Sequence, residues 1–232
     1  MKLGLIFDLD GTLVDSLQGI AASLNHALTE AHLPIHSLDA VKGFIGNGAE
    51  ILIQRAAPAD ASADLLHQLE ESFKSDYDHT WPQGTVIYAG IPALLASLHQ
   101  QGYPLAVLSN KPHTFTTTIV AQLFPSISFA AVLGQQAGVP HKPDPTGALE
   151  ISRVLQRTPA ECLMIGDSTM DLETAHHAGM RSIAVTWGFQ DRACLATADF
   201  MANDPLALSD AIFCAAPPML DSCNGHLKSD CC

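Results

Sequence analysis

Two aspartates, Asp8 and Asp10, follow the apolar run Leu3-Gly4-Leu5-Ile6-Phe7 and precede Gly11-Thr12. Other polar groups follow apolar runs in the same way. Ser109-Asn110-Lys111 comes after residues 105–108, Lys142 after 130–133, and Gly166-Asp167, with Asp171 beyond, after 162–165. Clustered carboxylates repel one another unless a cation neutralises them, and an all-oxygen set favours magnesium, octahedral at about 2.0–2.1 Å. No histidine or cysteine set competes to select zinc. A cation and a lysine together can hold a phosphoryl group inside an acidic protein. One carboxylate can then act as a nucleophile through an aspartyl-phosphate. A second acid two residues on can protonate the leaving oxygen and later activate water. The chain has only six lysines, and Lys111 and Lys142 both fall in this set.

Such groups must be brought to one rim, and the apolar runs say how. Residues 3–7, 105–108, 130–133, 162–165 and 182–185 read as buried strands, with helical candidates at 91–100, 115–123, 145–156, 170–178 and 191–196 between and after them. That alternation predicts an α/β fold, a doubly wound, mainly parallel Rossmann-like sheet with right-handed crossovers. In such sheets ligands bind outside the carboxyl ends of the strands, where these polar groups lie. Residues 17–79 instead show helical periodicity throughout, with Ser16 as the expected N-cap of the first helix. The expected organisation is an α/β core at 1–16 and 80–213, an all-helical insertion at 17–79 after the first strand, and a tail at 214–232.

The composition narrows the partners. The 232 residues carry 24 acids against 11 bases, a formal charge of −13. That field repels nucleic acid and anionic lipid, so neither is an expected partner. Hydrophobic residues make up 47% and charged residues 15%, outside the range of disordered chains. No apolar run approaches the ~20 residues of a membrane span. The N-terminal apolar run meets Asp8 too early for a signal peptide, so a cytoplasmic protein is expected, monomer or homodimer. Of six cysteines, Cys214, Cys223, Cys231 and Cys232 crowd the last 19 residues without zinc-finger spacing; a mobile, oxidisable tail is expected there.

The sequence from Phe7 to Ser16, Phe-Asp-Leu-Asp-Gly-Thr-Leu-Val-Asp-Ser, resembles the first motif of the haloacid dehalogenase superfamily phosphohydrolases. Ser109-Asn110, Lys142 and Gly166-Asp167-Ser168-Thr169-Met170-Asp171 are similar to the second, third and fourth motifs, in order. The resemblance covers residues 1 to about 212. It implies Asp8 as nucleophile, Asp10 as general acid and base, and Ser109 with Lys142 on the phosphate, with Thr12 and Asn110 beside them. It implies magnesium held by the Asp8 carboxylate, the Asp10 backbone carbonyl and Asp167, supported by Asp171. The helical insertion would be a C1-type cap that closes over the substrate. Dehalogenases of the superfamily lack an acid at the position of Asp10, so its presence implies a phosphatase acting on a small phosphorylated metabolite.

Phe44-Ile45-Gly46-Asn47-Gly48-Ala49, Leu108-Ser109-Asn110-Lys111-Pro112 and Thr186-Trp187-Gly188-Phe189 are similar to segments of phosphoglycolate phosphatases. The last is shared with a related pyrophosphatase group. The substrate expected is therefore 2-phosphoglycolate, with pyrophosphate as the alternative and a catalytically silent binding protein as a third reading. Gly46, Asn47 and Gly48 at a helix N-terminus are expected to present backbone amides to the substrate. Arg55 is expected to form a surface salt bridge, and Lys111 is left outside the catalytic set.

Overall fold

The computed structural model describes residues 2–215. The chain opens with strand β1 (Gly4–Phe7), a two-residue strand β2 (Val14–Asp15), and four helices: α1 (Leu17–Glu30), α2 (Leu38–Phe44), α3 (Ala49–Ala56) and α4 (Ala63–Gly84). It returns through β3 (Val86–Ile87) to α5 (Ile91–Gln100), β4 (Leu105–Pro112), α6 (His113–Leu123), β5 (Phe129–Gln135) and α7 (Thr146–Val154). The last elements are β6 (Cys162–Gly166), α8 (Thr169–Ala178), β7 (Arg181–Val185), β8 (Phe200–Ala202) and α9 (Pro205–Ala215).

Six strands form one parallel sheet in the order β5-β4-β1-β6-β7-β8. Side chains alternate across it, as the two-residue strand period requires. Leu5 and Phe7 of β1, Val107 of β4 and Ile165 of β6 meet α5, α6 and α9 on one face, while Ile6, Ala106 and Met164 meet α7 and α8 on the other. Both faces are covered, which is why these strands read as unbroken apolar runs. The α/β class and doubly wound topology therefore agree with the sequence. Among the described residues, no helix is long and apolar enough to cross a membrane.

Helices α1–α4 bury Leu24, Leu28, Val41, Ile53, Leu69 and Tyr77 in a core continuous with the first sheet face. The chain leaves the sheet at β2 and returns at β3, and these pair antiparallel through Val14 with Ile87 and Asp15 with Val86. Where α1 and α4 meet near this ladder, a Cβ on Gly84 would lie 2.4 Å from the Gly19 Cα, so the helices touch backbone to backbone.

The structure differs from expectation at several local points. The last helix of the insertion runs past residue 79. Helix α4 continues through Pro82 to Gly84, with the buried rings of Tyr77 and Trp81 anchoring its last turns against the loss of one backbone donor. Residues 191–196 hold only a 3₁₀ turn, Arg192–Leu195. Ser16 stands at the α1 N-cap but makes no capping bond, because its hydroxyl donates to Asp10 Oδ1 at 2.6 Å instead. Cys214 belongs to α9, and the other three tail cysteines lie outside the described residues.

Candidate active site

Parallel register sets Phe7 beside Val107 and Ile165, so the carboxyl ends of β1, β4 and β6 lie side by side. Asp8, Ser109 and Asp167 emerge from those three ends. Asp8 Oδ1 accepts from the Leu9 amide at 2.7 Å and lies 2.9 Å from Lys142 Nζ. Lys142 Nζ also meets Asp171 Oδ1 at 2.6 Å, one ammonium bridging two buried carboxylates. The other Asp171 oxygen accepts from the amide and hydroxyl of Ser168, the N-cap of α8, at 3.1 and 2.6 Å. Asp167 accepts from the Thr12 hydroxyl at 3.3 Å and from the Phe189 amide at 2.6 Å.

Carboxylate oxygens of Asp8, Asp167 and Asp171 lie within 4.8 Å of one another, and all three residues are buried. Burial raises the Asp8 carboxyl to about 7, against the lowering charge of Lys142, and Asp171 and Asp10 raise it further. Asp167 is likewise held well above the usual carboxylate range, first by burial and then by Asp8 and Asp171. For Lys142 burial favours the neutral amine, but the Asp171 and Asp8 charges outweigh it and fix the ammonium form. A crowded, buried, all-oxygen donor set with destabilised negative charge fits a hard divalent cation such as magnesium. Asp8, Asp167 and Asp171 are the residues that could hold it, Asp171 already carrying Lys142 and Ser168 on its two oxygens.

Between the strand ends and the helices α1–α4 lies a cavity of about 370 Å³, with Asp8, Asp10, Ser109 and Asp167 on its floor. The loop between α2 and α3 touches that floor. Asn110 Nδ2 donates to the Gly46 carbonyl at 2.9 Å, and Gly48 packs on His141 and the Asn110 carbonyl so closely that a Cβ would lie 2.8 Å from the ring nitrogen.

Residues 5–185 match the family described as haloacid dehalogenase-like hydrolase. The chain belongs to the haloacid dehalogenase-like hydrolases. It is 35% identical over 189 residues to the phosphoglycolate phosphatase of Pectobacterium atrosepticum, covering 80% of this chain and 81% of that one. Against the phosphoglycolate phosphatase of Vibrio vulnificus strain CMCP6 it is 33% identical over 218 residues, 90% and 96% of the two chains. A crystal structure of a proposed phosphoglycolate phosphatase from Lactobacillus delbrueckii subsp. bulgaricus superposes with a TM-score of 0.84 at 30% identity, covering 91% of this chain and 99% of that one.

Within this haloacid dehalogenase-like hydrolase, several of the expected site residues are also held by contacts within the protein. Asn110 lines the cavity. Its amide oxygen accepts from the Lys142 backbone N–H at 2.8 Å, and its nitrogen donates to the Lys142 and Gly46 carbonyls, so the side chain is fully engaged by backbone. The Thr12 hydroxyl turns to Asp167, and its carbonyl accepts from Trp187 Nε1 at 3.1 Å. Gly46 and Gly48 line the cavity, whereas Asn47 accepts from Arg55 at 2.9 Å and points its amide at the Met170 sulfur. Arg55 makes no salt bridge among the described residues. Its guanidinium closes the loop from within, reaching the Phe44 carbonyl and Asn47.

Lys111 is the site residue that sequence reasoning missed. It is buried, its Nζ lies 3.1 Å from both Asp10 oxygens, and it stands 4.5 Å over the centroid of the Tyr77 ring from α4. Burial disfavours its charge, but Asp10 overrides this and keeps it protonated. Its position directly after Ser109-Asn110, in a chain with only six lysines, was the available signal.

Proposed function

We propose that this hydrolase is a magnesium-dependent phosphomonoesterase that cleaves 2-phosphoglycolate through a phosphoaspartyl intermediate on Asp8. The observation that carries the reading is Asp8 itself. It is a buried carboxylate at the cavity floor with Lys142 on one oxygen, Asp167 and Asp171 beside it, and an acid two residues on. Similarity to phosphoglycolate phosphatases supports the choice of substrate.

The residues divide the work as follows. Leu9 N–H and Lys142 pin Asp8 Oδ1, leaving Oδ2 without a protein hydrogen bond among the described residues. An Asp8 oxygen attacks phosphorus, the phosphorus–alkoxide bond breaks, and Asp10 gives its proton to the departing alkoxide oxygen. Asp10 then takes a proton from water as that water attacks the acyl phosphate. Inorganic phosphate leaves and the Asp8 carboxylate is restored. Ser109 and Lys142 hold phosphoryl oxygens, and Asn110 fixes the backbone that carries Lys142. Magnesium bound by Asp8, Asp167 and the Asp10 carbonyl would supply positive charge to the transferring phosphoryl oxygens. Helices α1–α4 act as a cap, moving about the β2–β3 ladder to admit substrate and closing to exclude water.

The test is phosphate release from 2-phosphoglycolate, ethyl phosphate and pyrophosphate, each with magnesium and with chelator. Expected is magnesium-dependent release with phosphoglycolate at least tenfold ahead of ethyl phosphate in kcat/KM. Release that ignores the chelator sinks the metal requirement, and preference for pyrophosphate sinks the substrate.

A further inference from the structure

We infer that Lys42, on the cap helix α2, is the group that reads the second negative charge of the substrate. This rests on the phosphoglycolate reading and assigns its specificity to one side chain.

The cavity-lining residues include two cations, Lys42 and Lys111. Lys111 is committed to Asp10, and the deeper Lys142 to Asp8 and Asp171. Arg55, the cation on α3, is turned into the loop before that helix. Lys42 is the remaining one. It is half-buried, faces the cavity, and has neither an ion pair nor a hydrogen bond among the described residues. An ammonium in the last turn of a helix favours the carbonyl end wherever it points. That interaction does not require it to face a cavity above an acidic floor.

Charge balance gives the position a purpose. A phosphorylated hydroxy acid brings a phosphoryl group and a carboxylate into a protein of formal charge −13. The phosphoryl end is matched by Lys142 and the cation set at the floor. The carboxylate end must point toward the cap, where the walls are Ile45, Leu52 and Phe73, the neutral polar group is the Tyr77 hydroxyl and the charged neighbour is Asp39. Asp39 is exposed at the first turn of α2, where the helix dipole already favours its charge. Lys42 is therefore the group on the cap that can pair with a carboxylate inside the apolar surround, where such a pair is weakly screened.

The test compares kcat/KM for 2-phosphoglycolate and ethyl phosphate in the full-length wild type, Lys42→Met, Lys42→Glu and Lys42→Arg proteins. The methionine variant should lower the phosphoglycolate-to-ethyl-phosphate ratio at least tenfold, chiefly through KM for phosphoglycolate. Glutamate should lower it further, and arginine should keep it within about threefold of wild type. A methionine variant that melts with the wild type and keeps the wild-type ratio overturns the role of Lys42 and leaves the substrate reading standing. A wild-type protein with no preference between the two esters overturns the substrate reading, and the inference with it.

Discussion

Lys111 and Asp10 form a bidentate ion pair, with the ammonium 3.1 Å from each carboxylate oxygen and roofed by the Tyr77 ring of the cap. The pair joins β4 to the loop after β1, and Tyr77 of helix α4 lies over it, so the side chain proposed as acid and base is oriented by a core contact that the helical insertion covers. A second constraint comes from Ser16, whose hydroxyl donates to Asp10 Oδ1 from the start of α1.

Lys111→Met keeps the stem that packs on Tyr77 and removes the charge. Hydrogen bonds to charged groups contribute about 1.5–3 kcal/mol, so loss of orientation should lower kcat by roughly 10- to 150-fold. The same factor should appear with phosphoglycolate and with ethyl phosphate, because Asp10 serves both. A change confined to KM for phosphoglycolate would show that Lys111 contacts substrate instead of positioning Asp10.

Roles within the aspartate pair separate by intermediate. Asp8→Asn should abolish turnover and leave no acid-stable phosphoprotein, since an amide is a poor nucleophile. Asp10→Asn should slow turnover by about 10²- to 10⁴-fold, the usual range for general acid–base catalysis. Quenched-flow labelling with radioactive phosphoester reads both effects. A labelled, active Asp8→Asn protein would falsify the nucleophile assignment.

Gly48 offers a test of cap seating. Its φ is +87°, a backbone region side chains rarely occupy, and a Cβ would press on His141. Gly48→Ala therefore carries backbone strain of order 1–3 kcal/mol as well as a steric clash in the closed state. We expect kcat/KM to drop at least tenfold for phosphoglycolate and p-nitrophenyl phosphate alike. Full activity on the aryl ester with loss on phosphoglycolate alone would point to direct substrate recognition by this loop.

The sheet and its polar rim were legible because buried parallel strands leave unmistakable apolar runs, and the polar groups follow at their carboxyl ends. What escaped were features made by distant pairs. Lys111 has no role to read from sequence until Asp10, 101 positions away, and Tyr77 of α4 are brought to it. Ser16 has the type and position of a helix cap, and only the fold reveals that Asp10 takes its hydroxyl. Strands β2 and β3 contribute two residues each, too short for any periodicity, yet they define where the cap departs and returns. Asn47 was a plausible ligand from its glycine neighbours, but Arg55 and Met170 claim it.

Cation binding should depend on pH in a direction that the site sets. The Asp8 carboxyl, raised by burial to about 7, favours its protonated form in the folded protein relative to the unfolded chain. Without a divalent cation the folded state therefore holds more protons between about pH 4 and pH 7, and stability falls as pH rises through that window. A metal ligand must be deprotonated, so protons compete with magnesium at pH 6 and hardly at pH 8. A group titrating near 7 is about one-tenth ionised at pH 6 and about nine-tenths at pH 8. Through Asp8 alone, apparent magnesium affinity should thus rise about ninefold, or about 1.3 kcal/mol of added stabilisation at saturating metal, and the raised Asp167 carboxyl acts in the same direction. At roughly 2–4 °C per kcal/mol for a chain of this size, the magnesium-induced gain in Tm should be about 3–5 °C larger at pH 8 than at pH 6. Thermal melts with magnesium and with chelator at the two pH values measure it. An equal gain at both would mean that Asp8 is not a ligand, and Asp8→Asn should abolish most of the difference if it is.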